Sequence, residues 1–204
     1  MSPKDQIIRL PSPGLSGNVS VEETLQNRRS ERSFTPAPLS LKEVSQLLWS
    51  AQGITSKWGG RTAPSAGALY PLEIYLVSGS VEGLQPGIYK YIPDGHELLT
   101  ISEGDSRKQL ASACLGQSWI SDAPVSIVFA AVYERTTAKY GQRGIAYVHI
   151  EVGHAAQNVC LQAVALNLGA VSVGAFDDGM VKSIVGMVKE ETPLYVIPVG
   201  KKAE

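Results

Sequence analysis

The sequence predicts an α+β layered domain, and three observations carry that prediction. Short apolar runs such as Pro71–Val77 and Val125–Val132 are interspersed irregularly with helical stretches, which suits a layered sheet better than a doubly wound one. Gly87–Tyr91 and Glu97–Ile101 flank Pro93-Asp94-Gly95, a turn signal that makes the two runs a hairpin. Finally, Ile145, Val148, Val152, Ala155, Val159, Ala163 and Leu166 recur at spacings of three and four. That stripe predicts a core helix over about 145–167, roughly 34 Å long, able to span a whole domain.

The remaining elements follow in chain order. Residues 1–19 read as an irregular arm, because Leu10–Gly17 mixes two prolines and two glycines with serines, and ordered structure is expected from Ser20 onward. Ser20-Val21-Glu22-Glu23 and Ser40-Leu41-Lys42-Glu43 both fit the capping box. Helices are therefore expected near 21–28 and 41–51, the second stopped by Gly53. A helix is predicted around 105–114, a stop for the long helix at Gly169, and a strand over Val171–Gly174. A short helix over 178–187 and a final strand over Leu194–Val199 complete a single domain spanning 20–204. No repeat, low-complexity tract or linker interrupts it.

Bulk properties narrow the function. Of 204 residues, 44% are hydrophobic and 18% charged, and the net charge is -1, so no electrostatic footprint for nucleic acid or a polybasic membrane contact exists. The first ten residues lack the apolar run of a signal peptide, and no stretch near 20 residues is free of polar groups, so a cytoplasmic protein is expected. Cys114 and Cys160 have no CxxC pairing, which suggests buried thiols rather than a disulfide or zinc site. His149 and His154 sit five apart on the long helix, about 140° around its axis, so no metal site is expected there. Asp177 and Asp178 fit a helix start.

Three segments carry chemistry. Arg28-Arg29-Ser30-Glu31-Arg32 ends a predicted helix and supplies forks suited to phosphate or carboxylate, although cations at a helix C-terminus are also an ordinary structural choice. Thr62–Pro71 is a run of small residues leading into a strand, where a ligand could approach exposed amides or where the chain could merely turn tightly. It contains no GxxxxGK[ST] loop, and no GxGxxG or GxSxG occurs elsewhere. Glu134–Gly144 is polar and glycine-punctuated, and its adjacent Lys139 and Tyr140 could transfer protons or stand as solvated loop side chains.

The order of these segments resembles the nitroreductase superfamily, and within it the azoline-dehydrogenase-like branch. Arg28–Phe34 is similar to an RRSxRxF motif, Pro64–Pro71 to PSAGxLYP, Glu151–Asn158 with Leu168-Gly169-Ala170 to the long central helix and its exit, Gly174–Asp177 to a flavin-edge strand, and Gly200-Lys201 to a C-terminal basic contact. The likeness covers about residues 20–202. It implies a three-layer fold with a mainly antiparallel sheet flanked by helices, and a homodimer with FMN sites at the subunit interface and the long helix at that interface.

The resemblance also implies roles. Arg28, Arg29 and Ser30 would hold the phosphate and ribityl chain of FMN, Arg32 would reach the pyrimidine side, and Lys201 would join the phosphate cluster. Pro64, Ser65, Ala66 and Gly67 of the partner subunit would line the flavin, with Leu69 also in the cofactor-binding set. Gly174 and Ala175 would bring amides near flavin N5. Lys139 and Tyr140 would remove a proton during ring oxidation. The implied reaction is ping-pong, either reducing a nitro or quinone-type compound with NADH or NADPH as a possible donor, or oxidising an azoline-like small molecule or modified peptide. A flavin binder without turnover is the alternative. The chain ends shortly after Gly200, so dimerisation is expected through helix packing or through an exchanged arm near Ile7–Leu15.

Overall fold

The structure is a computed structural model that describes residues 6–203. The first five residues of the expected arm, and Glu204, lie outside the described residues. Serine caps open the first two helices. In α1 (Val21–Asn27) the Ser20 hydroxyl accepts from the Glu23 amide at 3.1 Å, and the Ser20 amide donates back to the Glu23 carboxylate at 2.8 Å. Ser40 and Glu43 repeat that exchange at α2 (Leu41–Gln52), and Gly53 ends it as expected. Each cap of this kind is worth about 1 kcal/mol.

The described residues form nine strands: β1 (Ile7–Arg9), β2 (Leu39–Ser40), β3 (Leu72–Ser78), β4 (Val81–Glu82), β5 (Gly87–Ile92), β6 (Glu97–Glu103), β7 (Val125–Ala131), β8 (Leu168–Ala170) and β9 (Thr192–Lys201). Seven of them form one sheet in the order β1-β6-β5-β3-β7-β9-β8, with antiparallel pairing throughout. β2 and β4 form a separate parallel pair.

Helices cover both faces of the large sheet. On one side Ile74 and Leu76 of β3, Ile127 and Phe129 of β7 and Ile197 of β9 pack with Val44, Leu47 and Leu48 of α2 and with Val148, Val152, Ala155 and Val159 of α6 (Arg143–Ala165). On the other side Tyr75, Val77, Val128 and Val196 meet α3 (Arg107–Ala113), α4 (Trp119–Asp122) and α7 (Asp178–Val185). Central strands buried on both faces cannot alternate apolar with polar, which is why β3 and β7 read as continuous apolar runs. The three-layer α+β fold is therefore the one the sequence implied. Among the described residues no helix is long and apolar enough to cross a membrane.

Local departures have physical causes. β1 pairs with β6, so ordered structure begins before Ser20, although residues 11–19 contain no helix or strand. Long-helix burial holds for Val148 through Ala163, but Ile145 is exposed. The stop comes at Asn167, whose φ of 57° turns the chain in the left-handed region, so Gly169 lies inside β8 rather than ending the helix. The strand expected at 171–174 is reduced to a single bridge between Val173 and Val196. Glu134–Tyr140 forms α5, a helix hidden from the sequence because it buries only Thr136.

Candidate functional site

Arg28–Arg32 is strapped along the outer side of β8. Ser30 bridges Ala170, and the Glu31 amide donates to the Ala170 carbonyl at 3.0 Å. A Cβ on Gly169 would lie 2.8 Å from the Cβ of Glu31, so glycine is what lets the strap lie this close. Across β8, Lys201 pairs with Leu168, which places its stem one strand away from Ser30. Arg28 lies near Cys160 at the end of α6: burial pushes that thiol up, while the Ser172 hydroxyl and the Arg28 guanidinium oppose the rise. Arg32 stacks over Trp119 at 5.6 Å.

Charge at this edge is unevenly balanced. Arg29 donates only to backbone carbonyls, those of Gln26 at 2.9 Å and Arg28 at 2.8 Å. Among the described residues Arg28, Arg29 and Arg32 have no acidic partner. Lys201, by contrast, donates to Glu43, so the fourth expected cation is held by an acid in this structure. Burial of Glu43 favours its neutral form, but Lys201 and Ser40 outweigh this and hold the carboxyl below its ordinary value. Gly174 and Ala175 are exposed beyond Val173, and a Cβ on Gly174 would meet nothing closer than 3.6 Å, so the surface there is free to receive a ligand.

A second cluster gathers around the Pro64–Tyr70 turn. Gly67, Ala68 and Tyr70 have φ of 64°, 54° and 45°. Two non-glycine residues in the left-handed region cost on the order of 1–2 kcal/mol each, a strain that surrounding contacts must hold. Those contacts are present: the Tyr70 amide donates to the Ser65 hydroxyl at 2.9 Å, Arg135 donates to the Tyr70 carbonyl at 3.1 Å, and Arg61 lies 4.4 Å over the Tyr70 ring. Lys139 and Tyr140, at the end of α5, reach the same turn, and Tyr140 packs edge-on against Tyr147 of α6 at 5.1 Å.

The expected residues thus form two groups, with Arg28, Ser30, Lys201, Gly174 and Ala175 at the β8–β9 edge and Pro64–Gly67, Leu69, Lys139 and Tyr140 at the turn. The turn borders α6 from Tyr147 to His154, whereas Arg28 borders it at Cys160. Six residues of helix from His154 to Cys160 amount to roughly 9 Å along its axis.

Comparison with known proteins decides the family. The family model described as nitroreductase family matches residues 25–201. The chain belongs to the nitroreductase family. As a member, it is oxidoreductase-like, and it is 48% identical over 186 residues to a protein of Methanocaldococcus jannaschii named provisionally as a nitroreductase, covering 91% of this chain and 93% of that one. Its relatives extend into peptide processing. It is 28% identical to the microcin B17-processing protein McbC of Escherichia coli, over 78% of this chain and 61% of that protein. Among solved structures, a provisionally named nitroreductase of Ralstonia eutropha superimposes with a TM-score of 0.86 at 29% identity, covering 100% of this chain and 93% of that one.

Other expectations have clear places in this nitroreductase-family chain. Cys114 and Cys160 are buried free thiols, and Asp177 caps α7 by accepting from the Met180 amide at 2.7 Å. His149 bonds Tyr133 at 2.6 Å. Sequence reasoning passed over Trp119 and Arg61, which carry no local motif, and read Glu43 only as part of a capping box. It also gave no role to Glu151, although an acid on the buried side of an apolar stripe was a readable signal.

Proposed function

We propose that this chain is an FMN-dependent oxidoreductase that works as a homodimer, using NADH or NADPH to reduce nitro or quinone-type compounds or oxidising an azoline-like substrate. The observation that carries the reading is the set of arginines on the β8 strap, unpaired with acids among the described residues, with the exposed Gly174-Ala175 segment a few residues beyond β8 in the chain. Such a set fits a ligand with a phosphate at one end and a flat ring at the other. Arg28, Arg29 and Ser30 would hold the phosphate and ribityl chain, with Lys201 joining once it leaves Glu43. Arg32 would face the pyrimidine side, where positive charge favours the reduced ring. Bound FMN supplies a site that accepts and donates hydride.

The second half of the pocket would come from a second copy. A turn built from Pro64, Ser65, Ala66, Gly67 and Leu69 is suited to close approach of a ring, yet it borders α6 at Tyr147–His154 rather than at Cys160, where Arg28 lies. The outer face of α6 supports pairing through this helix. Ile150 is 51% exposed. Gly153 has nothing within 4 Å of where its Cβ would be, and a mid-helix glycine costs about 1 kcal/mol unless close approach by another element offsets it. Lys139 and Tyr140, held against Gly67, favour the azoline-type reaction, in which the azoline takes the place of the nicotinamide as the donor that reduces the flavin, the pair takes the proton from the ring, and a quinone-type acceptor reoxidises the flavin.

The test is the absorption spectrum of purified protein after incubation with FMN and desalting, followed by anaerobic NADH or NADPH. A retained flavin spectrum that bleaches supports a nicotinamide-driven reductase. Retention without bleaching by either nicotinamide or candidate azolines favours a binder without turnover, and loss of all flavin removes the proposal.

A further inference from the structure

Beneath the Pro64–Gly67 turn lies an acid that the proposed reaction does not use. Glu151 of α6 is only 2% exposed. Among the described residues its Oε1 and Nε2 of Gln52, fully buried at the end of α2, make no well-aligned hydrogen bond, although the Gln52 amide and the Ser65 hydroxyl lie close enough to the carboxyl to favour its charged form. Glu151 forms no ion pair among the described residues; Arg61 acts on it through space while donating to Gln52 Oε1 at 3.0 Å. The other charged or titratable groups around this polar island are Tyr70 in the turn, Glu73 on β3, Arg135, Lys139 and Tyr140 on α5, and Tyr147 and His154 on α6. Glu73 is already paired with Lys90 and Arg135. Burial pushes the Glu151 carboxyl up to about 7, against the pull of Ser65, Arg61 and Gln52. Near neutrality this buried group is divided between its two protonation states.

Glu151 also lines a surface cleft together with Pro64, Ser65, Ala66, Tyr147 and Ile150. Any ring that settles on the turn covers that cleft and replaces the water beside the already buried carboxyl with a less polar surface, and a phosphate on the same ligand adds negative potential. Both effects favour the neutral acid. We propose that Glu151 takes up a proton when FMN covers the Pro64–Gly67 turn, so that cofactor occupancy and proton binding are linked. This inference rests on the FMN reading above. By linkage, the same residue makes FMN bind more tightly as pH falls through neutrality.

The experiment is calorimetric titration of FMN into the full chain at pH 7.5 in two buffers of different ionisation enthalpy, repeated from pH 6.5 to 8.5. Wild type is expected to take up about 0.5–0.8 proton per FMN at pH 7.5, and its affinity to fall several-fold by pH 8.5 relative to Glu151→Gln, which keeps the shape and cannot titrate. Glu151→Gln is expected to show no such uptake. Should that variant fail to fold, the wild-type uptake profile decides alone: a maximum between pH 7 and 8.5 supports the inference, and a flat profile overturns it. FMN binding with the same proton count in both proteins overturns the inference and leaves the FMN reading standing. Absence of FMN binding overturns the FMN reading, and the inference with it.

Discussion

Gly67 lies against Tyr140, so that a Cβ added to the glycine would stand 2.8 Å from the phenol oxygen and 3.0 Å from Nζ of Lys139. Two segments separated in sequence are thereby fitted to one another through a missing methyl group. Gly67→Ala is expected to push both side chains away and to strain a backbone with φ of 64°. Because misplacement of about 1 Å at a reacting group can cost up to ~100-fold, turnover of an azoline substrate should fall at least about tenfold. The melting temperature should fall by a few degrees and FMN retention should fall less than turnover, and a variant with wild-type turnover would show that the fit is incidental.

Lys139→Ala with Tyr140→Phe tests the pair directly. If they take the ring proton, the double variant should retain FMN and keep nicotinamide-driven reduction while losing about 100-fold or more in azoline oxidation, the range of general-base catalysis. Stopped-flow measurement of flavin reduction by the nicotinamide and by the azoline compares the two reductants, only the second of which needs the pair. Equal loss in both would point to a damaged pocket rather than a lost base.

Glu43 competes with any phosphate for Lys201. Glu43→Gln keeps a residue able to complete the α2 capping box, yet removes the charge that holds the lysine. FMN affinity is expected to rise several-fold, whereas riboflavin, without a phosphate, should bind as before. Fluorescence titration of both ligands gives the answer, and an equal effect on the two would place Lys201 away from the phosphate.

The parts of this fold that were legible are those set by local chemistry. Ser20–Glu23 and Ser40–Glu43 specify helix starts through their own side chains, and the Val148–Ala163 stripe specifies a buried helix face by spacing alone. β2, β4 and β8 escaped because each is too short to show a pattern and exists only through a partner remote in sequence. The Arg28–Arg32 strap was visible as a cluster of charge, but its attachment to β8 depends on Gly169 facing Glu31. Likewise, nothing near Lys139 in the sequence says that it ends against Gly67, because that meeting depends on α5, whose polar face hides its helical period.

Stability should depend on a buried network at the other side of the sheet. Glu191 is 1% exposed and accepts from the Tyr75 hydroxyl at 2.6 Å, Lys90 Nζ at 2.6 Å and the Val188 amide at 3.1 Å. Removing one partner of such a pair leaves a buried charge uncompensated, which costs about 3–5 kcal/mol. Lys90→Met should therefore lower the melting temperature by roughly 6–15 °C. Glu191→Gln added to Lys90→Met should recover part of that loss, since the orphan charge is gone. Failure of the second change to recover anything would mean that Lys90 acts mainly through Glu73.

Acid sensitivity should centre on His96, which ties the N-terminal segment to the β5–β6 hairpin. Ser45 gives its one proton to the Pro11 carbonyl at 2.5 Å, so its oxygen accepts from His96 Nε2 at 2.7 Å, and Nδ1 is left to accept from the Tyr91 hydroxyl at 2.8 Å. This arrangement needs neutral imidazole, and burial lowers the His96 pKa from 6.5 although the Pro11 carbonyl pulls the other way. As pH falls below 6.5 the unfolded chain gains a proton before the folded one, so the contribution is complete above 6.5 and is lost on descent through the folded value. His96→Asn suits the left-handed backbone, φ 52°, and should cost about 1–2 kcal/mol at pH 7.5. The gap between wild type and variant should narrow steadily from pH 7 to pH 5 in thermal melts, with the titration of Glu151 common to both and cancelling. A gap that stays constant across that range would mean that His96 takes up its proton equally in folded and unfolded chains, and that its contribution does not depend on its charge.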